Sequence, residues 1–167
     1  MKHKIFELAT IEDVPEILEI QHQAFAPQCK ALGWNDCLPL NETLDSAYED
    51  FGNYKTFKIQ NDDGKIIGSV RGLVTDGSLL IGHLVVHPDY QGQGLGKFLL
   101  REIQKCLPHN RAWLTTCVQI QRNYNLYRKE GFTTFKTEEI GPGLTRVFME
   151  KYYVKSVLKS SFLLTRP

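Results

Sequence analysis

Residues 91–97 read Gln-Gly-Gln-Gly-Leu-Gly-Lys, and this run constrains the chain more than any other. It lies between an apolar stretch at 79–87 and a helical pattern in which Leu95, Phe98, Leu99, Ile103, Cys106 and Leu107 share one stripe. A strand therefore ends before Pro88, a turn follows, and alternate glycines open an amphipathic helix. The first amides of a helix lack an intrahelical acceptor. They carry partial positive charge and bind anions. Glycine lets the main chain approach phosphate oxygens without a Cβ in the way. A phosphate-bearing ligand fits such a loop, and a plain helix entry is the alternative. Two common phosphate loops fail on spacing. A P-loop needs G-x-x-x-x-G-K-[ST], but Gln91 stands where its first glycine belongs and Phe98 where its hydroxyl belongs. The dinucleotide fingerprint needs G-x-G-x-x-G in a parallel βαβ unit; here the spacing is G-x-G-x-G after an antiparallel run.

That run is read from period-two patterns. Residues 56–60, 66–75 and 79–87 are strands joined by Asn61-Asp62-Asp63-Gly64 and Asp76-Gly77 turns. Before them, 4–9 is a short strand. Thr10 with Asp13 reads as a capping box for a helix carrying Val14, Ile17, Leu18 and Phe25, its stripe broken once by Gln21. Residues 26–41, with two prolines, Gly33, Trp34 and two cysteines, read as an irregular loop. Asn41 is expected to cap a second helix bearing Leu44, Ala47, Tyr48 and Phe51. After the glycine run come a helix stopped by Pro108, a strand at 112–118, a short helix at 122–130 closed by Gly131, and strands 132–140 and 145–152 around Gly141-Pro142-Gly143. The order β-α-α-β-β-β-α-β-α-β-β predicts an α+β fold, with a mixed sheet of about six to seven strands flanked by about four helices.

Composition excludes several classes. The 167 residues suit one domain at 1–151 with an extension at 152–167. With 20 Lys+Arg against 19 Asp+Glu there is no overall field for nucleic acid. The N-terminal residues lack the apolar core of a signal peptide, and no stretch approaches a membrane span. Cys29, Cys37, Cys106 and Cys117 form no CxxC pair, so reduced thiols, a cytoplasmic location and no metal are expected. The tail carries Lys155, Lys159 and Arg166 among apolar residues. It reads as a frayed terminus, or as a basic amphipathic helix for a partner or an anionic surface.

The segment 84–97, L-V-V-H-P-D-Y-Q-G-Q-G-L-G-K, resembles the acetyl-CoA-binding motif of the GNAT N-acetyltransferase superfamily, written Q/R-x-x-G-x-G/A, with Gln91, Gly94 and Gly96 at its fixed positions. Downstream, Asn123 to Phe132 resembles the family's A-x-x-L-Y-x-K-x-G-F ending. The resemblance implies two parallel strands that splay around acetyl-CoA as cosubstrate. It implies pantetheine contacts from the main chain of Leu84, Val85 and Val86, a pyrophosphate cradle from the amides of Gly92, Gln93, Gly94, Leu95, Gly96 and Lys97, and Gln91 as a further cofactor-binding residue. Lys97 adds a point charge or is simply solvated. Where the family often carries an Asn before its Tyr, this chain has Ile120, so Asn123 or Gln121 would have to supply that contact.

By family position, Tyr127 is the acid that protonates the departing CoA sulfur, and it would also touch the cofactor. A phenol of reference pKa ~10 is protonated at neutral pH. Its alternative is a core aromatic, with Tyr124 as a nearby decoy. Relatives often place a Glu on the strand before the glycine loop or on the next one. Here those stretches hold no carboxylate, and His83 is the substitute base, or else a hydrogen-bonded strand histidine. His87 reads as structural. Cys117 is the candidate for a covalent route, which direct attack makes unnecessary. Trp34, Asp36, Glu42, Asp45 and Asp50 either form a rim for a cationic amine or are solvated acids. The expected partner is a small-molecule or peptide amine, and a homodimer stays open. The alternative function is an acyl-CoA-binding module without catalysis; a third is an interaction protein that binds no cofactor.

Overall fold

The computed structural model describes residues 5–153, so the basic stretch read in the tail lies outside the described residues from 154 on. Seven strands form one sheet in the order β1-β2-β3-β4-β5-β7-β6. They are β1 (Phe6–Leu8), β2 (Lys55–Gln60), β3 (Ile66–Thr75), β4 (Ser78–Val86), β5 (Arg111–Cys117), β6 (Thr133–Gly141) and β7 (Leu144–Tyr152). The helices are α1 (Val14–Ala31), the single turn α2 (Leu38–Asn41), α3 (Leu44–Asn53), α4 (Leu95–Cys106) and α5 (Gln121–Lys129). All neighbouring strands are antiparallel except β4 and β5. The mixed sheet expected from the sequence is present.

Alternation along the strands sorts the core onto two faces. Leu95, Leu99, Leu100 and Ile103 of α4 pack with Leu79, Ile81, Val86 and Leu114 on one face, together with Tyr127 of α5. Ile17, Ile20 and Ala24 of α1 meet Ile66 and Val85 on the other. The helix α4 lies close because Gly72 has no side chain: a Cβ there would stand 2.6 Å from Leu107 Cδ1 and 2.8 Å from Ile103 Cδ1.

Three expectations need correction, all between residues 26 and 43. First, the helix does not stop before Pro27. It runs on to Ala31 with Pro27 inside it, and α2 follows shortly after. A mid-helix proline loses one ladder bond. Here the far side is held by burial of Cys29 and by Trp34 N–H donating to Cys29 O at 2.9 Å. Second, Cys29 and Cys37 are not reduced thiols but a disulfide. The continued helix keeps Cys29 on its buried side and α2 turns Cys37 back against it, which composition could not reveal. Cys106 and Cys117 are free. Third, α3 is capped by Thr43 rather than Asn41: Thr43 Oγ1 accepts from Ser46 N–H at 3.2 Å. The Thr10–Asp13 box does form, with Thr10 N–H donating to Asp13 Oδ2 at 2.7 Å. It opens a 3-10 turn that leads into α1.

Candidate active site

The site grows from a failure of strand pairing. β4 and β5 run side by side only at Ser78–Arg111, Leu79–Ala112 and Leu80–Trp113. Beyond Leu80 they separate, and among the described residues the β4 edge facing β5 has no strand partner. Against β3, Arg71 pairs with Gly82 but Ser69 pairs with Val85. His83 and Leu84 thus stand opposite Val70 alone, a β-bulge. Within it His83 takes φ +44°, a conformation that costs a non-glycine residue about 1–3 kcal/mol and collects at functional sites.

Two cavities occupy the opening. One, of about 450 Å³, is lined by Leu84, Val85 and Val86, by Gln91, Gly92, Gly94, Leu95, Gly96 and Lys97, and by the α5 face. The other, of about 340 Å³, holds His83, Tyr127 and Cys117, with Trp34 and Phe25 among its walls. Phe25, Leu84 and Asn123 line both, so the two are the ends of one groove.

At the first end the loop is built from backbone. Gly92 and Gly94 both sit at φ +78°, and a Cβ at either would meet open space. The turn therefore needs glycine for its dihedral angles, and open space lies beside it. Phe98 N–H, bonded to Gly94 O at 3.0 Å, is the first α4 amide to join the helix ladder. The amides before it lack intrahelical acceptors. Leu95 is buried in the core and anchors the loop, while Gln93 is exposed and does not line the cavity. Gln91 is occupied within the protein: its Nε2 donates to Val86 O at 3.0 Å and its Oε1 accepts from Arg122 Nη1 at 2.7 Å. Lys97 Nζ lies 3.5 Å from Glu130 Oε1, which Arg101 also engages. Sequence reasoning missed Arg122 and Lys129, which bring positive charge to this end. Arg122, Asn125, Leu126 and Lys129 repeat at helical spacing along α5, a signal that was available.

At the second end the work is done by side chains from separate elements. Tyr127 is buried, and burial pushes its phenol up to about 12. Tyr124, the decoy, is only partly buried and sits beneath the Arg128 guanidinium. Ile120 caps α5, and Gln121 spends its amide on Val118 O, which leaves Asn123 as the polar α5 residue shared by both cavities. His87 is buried outside the groove; its Nδ1 accepts from Asp89 N–H at 3.2 Å and its ring meets Tyr90 edge-on. Cys117 is buried and its thiol donates to Gln119 Oε1 at 2.9 Å.

The residue that sequence reasoning misjudged is Glu42. It is not one of several solvated acids: its side chain is 7% exposed. Its Oε1 accepts from Arg71 Nη1 at 2.8 Å, its Oε2 accepts from Gln21 Nε2, and His83 Nδ1 lies 3.4 Å from Oε2. Burial by itself would raise this carboxyl, but the His83, Arg71 and Gln21 contacts outweigh it and hold the group at about 2. Gln21 Nε2 also donates to Pro39 O at 2.9 Å, and His22 Nε2 contacts Glu42 O at 3.0 Å. Asp50 Oδ2 stands 3.5 Å from Arg71 Nη1. The break in the α1 stripe at Gln21 was the mark this network left in the sequence.

Among the described residues no cluster of three or more His, Cys, Asp or Glu could hold a metal ion, and no helix is long and apolar enough to cross a membrane. Comparison with known proteins gives this reading a family. Residues 53–134 match the acetyltransferase (GNAT) domain. That stretch, just under half of the chain, is a GNAT acetyltransferase domain by the match. A curated relative, the uncharacterized N-acetyltransferase ycf52 of Gracilaria tenuistipitata var. liui, is 33% identical over 107 residues, covering 64% of this chain and 58% of its own length. The UPF0157 protein YqkA of Bacillus subtilis (strain 168) is 29% identical over 77% of this chain and 37% of its own. This chain thus spans little more than half of the first relative and about a third of the second. The ribosomal-protein-S18-alanine N-acetyltransferase from Escherichia coli matches with a TM-score of 0.74 at 20% identity, over 93% of this chain and 99% of that one. PaiA N-acetyltransferase from Thermoplasma acidophilum, in complex with coenzyme A, matches at 0.64 and 19% identity, over 90% and 100%. At these identities the likeness to the solved structures is one of fold, the GNAT acyl-CoA N-acyltransferase fold.

Proposed function

We propose that the protein transfers an acetyl group from acetyl-CoA to a primary amine by direct attack. The observation that carries this reading is the continuous groove, with bare amides and glycines at one end and Tyr127 with His83 at the other. The residues fit the donor. The open β4 edge suits a pantetheine arm that bonds like an added strand. The space beside Gly92 and Gly94 suits a diphosphate, with Arg122, Lys129 and Lys97 nearby.

When bound, acetyl-CoA supplies the activated acyl carbon. The neutral amine forms a C–N bond to that carbon as the C–S bond breaks. One proton leaves the nitrogen for His83 and passes to solvent. The departing sulfur takes a hydrogen bond, and finally a proton, from the Tyr127 hydroxyl, which solvent restores. A phenol held near 12 stays protonated throughout the neutral range, so it serves as donor and never as base. Cys117 keeps its thiol in a hydrogen bond, and the reading gives it no covalent role.

The acceptor cavity is walled by Trp34, Phe25, Leu38 and Phe148, which suits an amine with an apolar body, small molecule or peptide. On this reading the chain lies in the cytoplasm, where acetyl-CoA is available; the Cys29–Cys37 disulfide is the observation that pulls against that placement.

The test is thiol release from acetyl-CoA across a panel of primary amines, with the acetylated product weighed by mass spectrometry. Product on at least one amine is expected. Tight binding of CoA with no release across the panel would leave the non-catalytic acyl-CoA-binding module instead.

A further inference from the structure

We infer that Glu42 is a positioning residue for His83, fixing the imidazole with its proton on Nδ1 so that Nε2 faces the acceptor cavity as a free base. The inference rests on the acetyl-transfer reading above.

Three observations support it. His83 lines the acceptor cavity, its side chain is one-third exposed, and its Nδ1 is fully buried without an aligned hydrogen bond. The exposed edge of the ring is therefore the one that carries Nε2. The group beside Nδ1 is Glu42 Oε2 at 3.4 Å, a carboxylate that can only accept. That contact is loose, as such bonds often are before the substrate closes the site. An acceptor at Nδ1 selects the Nδ1–H tautomer, and in the neutral ring the other nitrogen then keeps its lone pair.

Charge balance points the same way. Glu42 and Asp50 bring two negative charges and Arg71 one positive charge, so the cluster is one short of neutral. An imidazolium at His83, formed when Nε2 takes the amine proton, would close that deficit. Of the other groups that line the cavity, Arg146 is paired with Glu138 at 3.5 Å, the Tyr127 phenol is protonated, and the Cys117 thiol donates to Gln119 Oε1. The α1–α3 region thus supplies the carboxylate that β4 and β5 lack, from forty-one residues upstream of His83 in the chain.

Nitrogen-15 NMR of the free protein, labelled at histidine, reads the tautomer directly and needs no acceptor. For His83 in its neutral form, Nδ1–H is expected; Nε2–H would overturn the inference whether or not an acceptor is ever found. In Glu42→Gln the single amide oxygen stays with Arg71, the NH₂ group takes the Oε2 place beside His83 and displaces the Gln21 amide that donates there, and the tautomer should switch to Nε2–H. With an active acceptor, Glu42→Gln should lower kcat by ~10-fold or more and leave the KM for acetyl-CoA unchanged. His83→Ala should lower kcat further, and adding Glu42→Gln to His83→Ala should cost nothing more. An equal loss from Glu42→Gln in both backgrounds would make Glu42 a purely structural residue and overturn the inference.

Discussion

The two ends of the groove are made of different material. The loop at residues 91–97 is contiguous, and the groups proposed to bind the donor are main-chain amides held by two glycines at positive φ. The acceptor end draws Gln21 and Phe25 from α1, Glu42 from the α2–α3 link, Arg71 from β3, His83 from β4 and Tyr127 from α5. A site of backbone depends on chain conformation and tolerates exchange of side chains. A site of converging side chains depends on each partner being present. Mutation should therefore act differently at the two ends.

The largest effect is expected where a buried charge loses its partner. Arg71→Ala leaves the Glu42 carboxylate uncompensated and should cost about 3–5 kcal/mol in chemical denaturation. The same network predicts a pH dependence. The Glu42 carboxyl is lowered from 4.5 to about 2 by folding, so its contribution is complete above about 4.5 and fades as the pH falls toward 2. Denaturation midpoints followed over that window should drop in the wild type and drop less in Glu42→Gln. A flat wild-type profile would mean that the carboxylate is not held by its neighbours.

Next comes chemistry at the same end. Tyr127→Phe should lower turnover by ~10²-fold or more while CoA affinity, measured by calorimetry, stays within about twofold. An unchanged rate would remove the hydroxyl from the mechanism and leave Tyr127 as a core aromatic.

At the loop the pattern inverts. A Cβ at position 94 meets no protein atom, but Gly94→Val strains a φ of +78° and intrudes on the space proposed for the diphosphate. It should weaken CoA binding by ~10-fold or more, equal to about 1.4 kcal/mol or above. Lys97→Ala removes a charge already shared with Glu130 and should change CoA affinity by less than about threefold. If Lys97→Ala proved the more damaging of the two, the loop would be a side-chain site and the contrast between the ends would fail.

The same contrast explains what could be read in advance. The strands around the loop, the stripe of α4 and the glycine spacing are local patterns, and the sheet and loop followed from them. In the sequence Glu42 reads only as one of several rim acids, because its place beside His83 depends on α1 continuing past Pro27, on the Cys29–Cys37 bridge and on the β4 bulge that brings His83 toward it. Each is a long-range outcome of packing. Only Gln21, a polar residue on an apolar stripe, marked the place, and its buried amide now joins Pro39 to Glu42.

The central claim is that the amides of residues 92–97 hold the diphosphate of a CoA thioester. Titration of the labelled protein with CoA, followed by amide NMR, tests it without any acceptor. The account predicts the largest shifts at 92–97 and 84–86, saturating together and lost in Gly94→Val. Saturable binding whose shifts fall on another surface, with 92–97 unmoved, would contradict it.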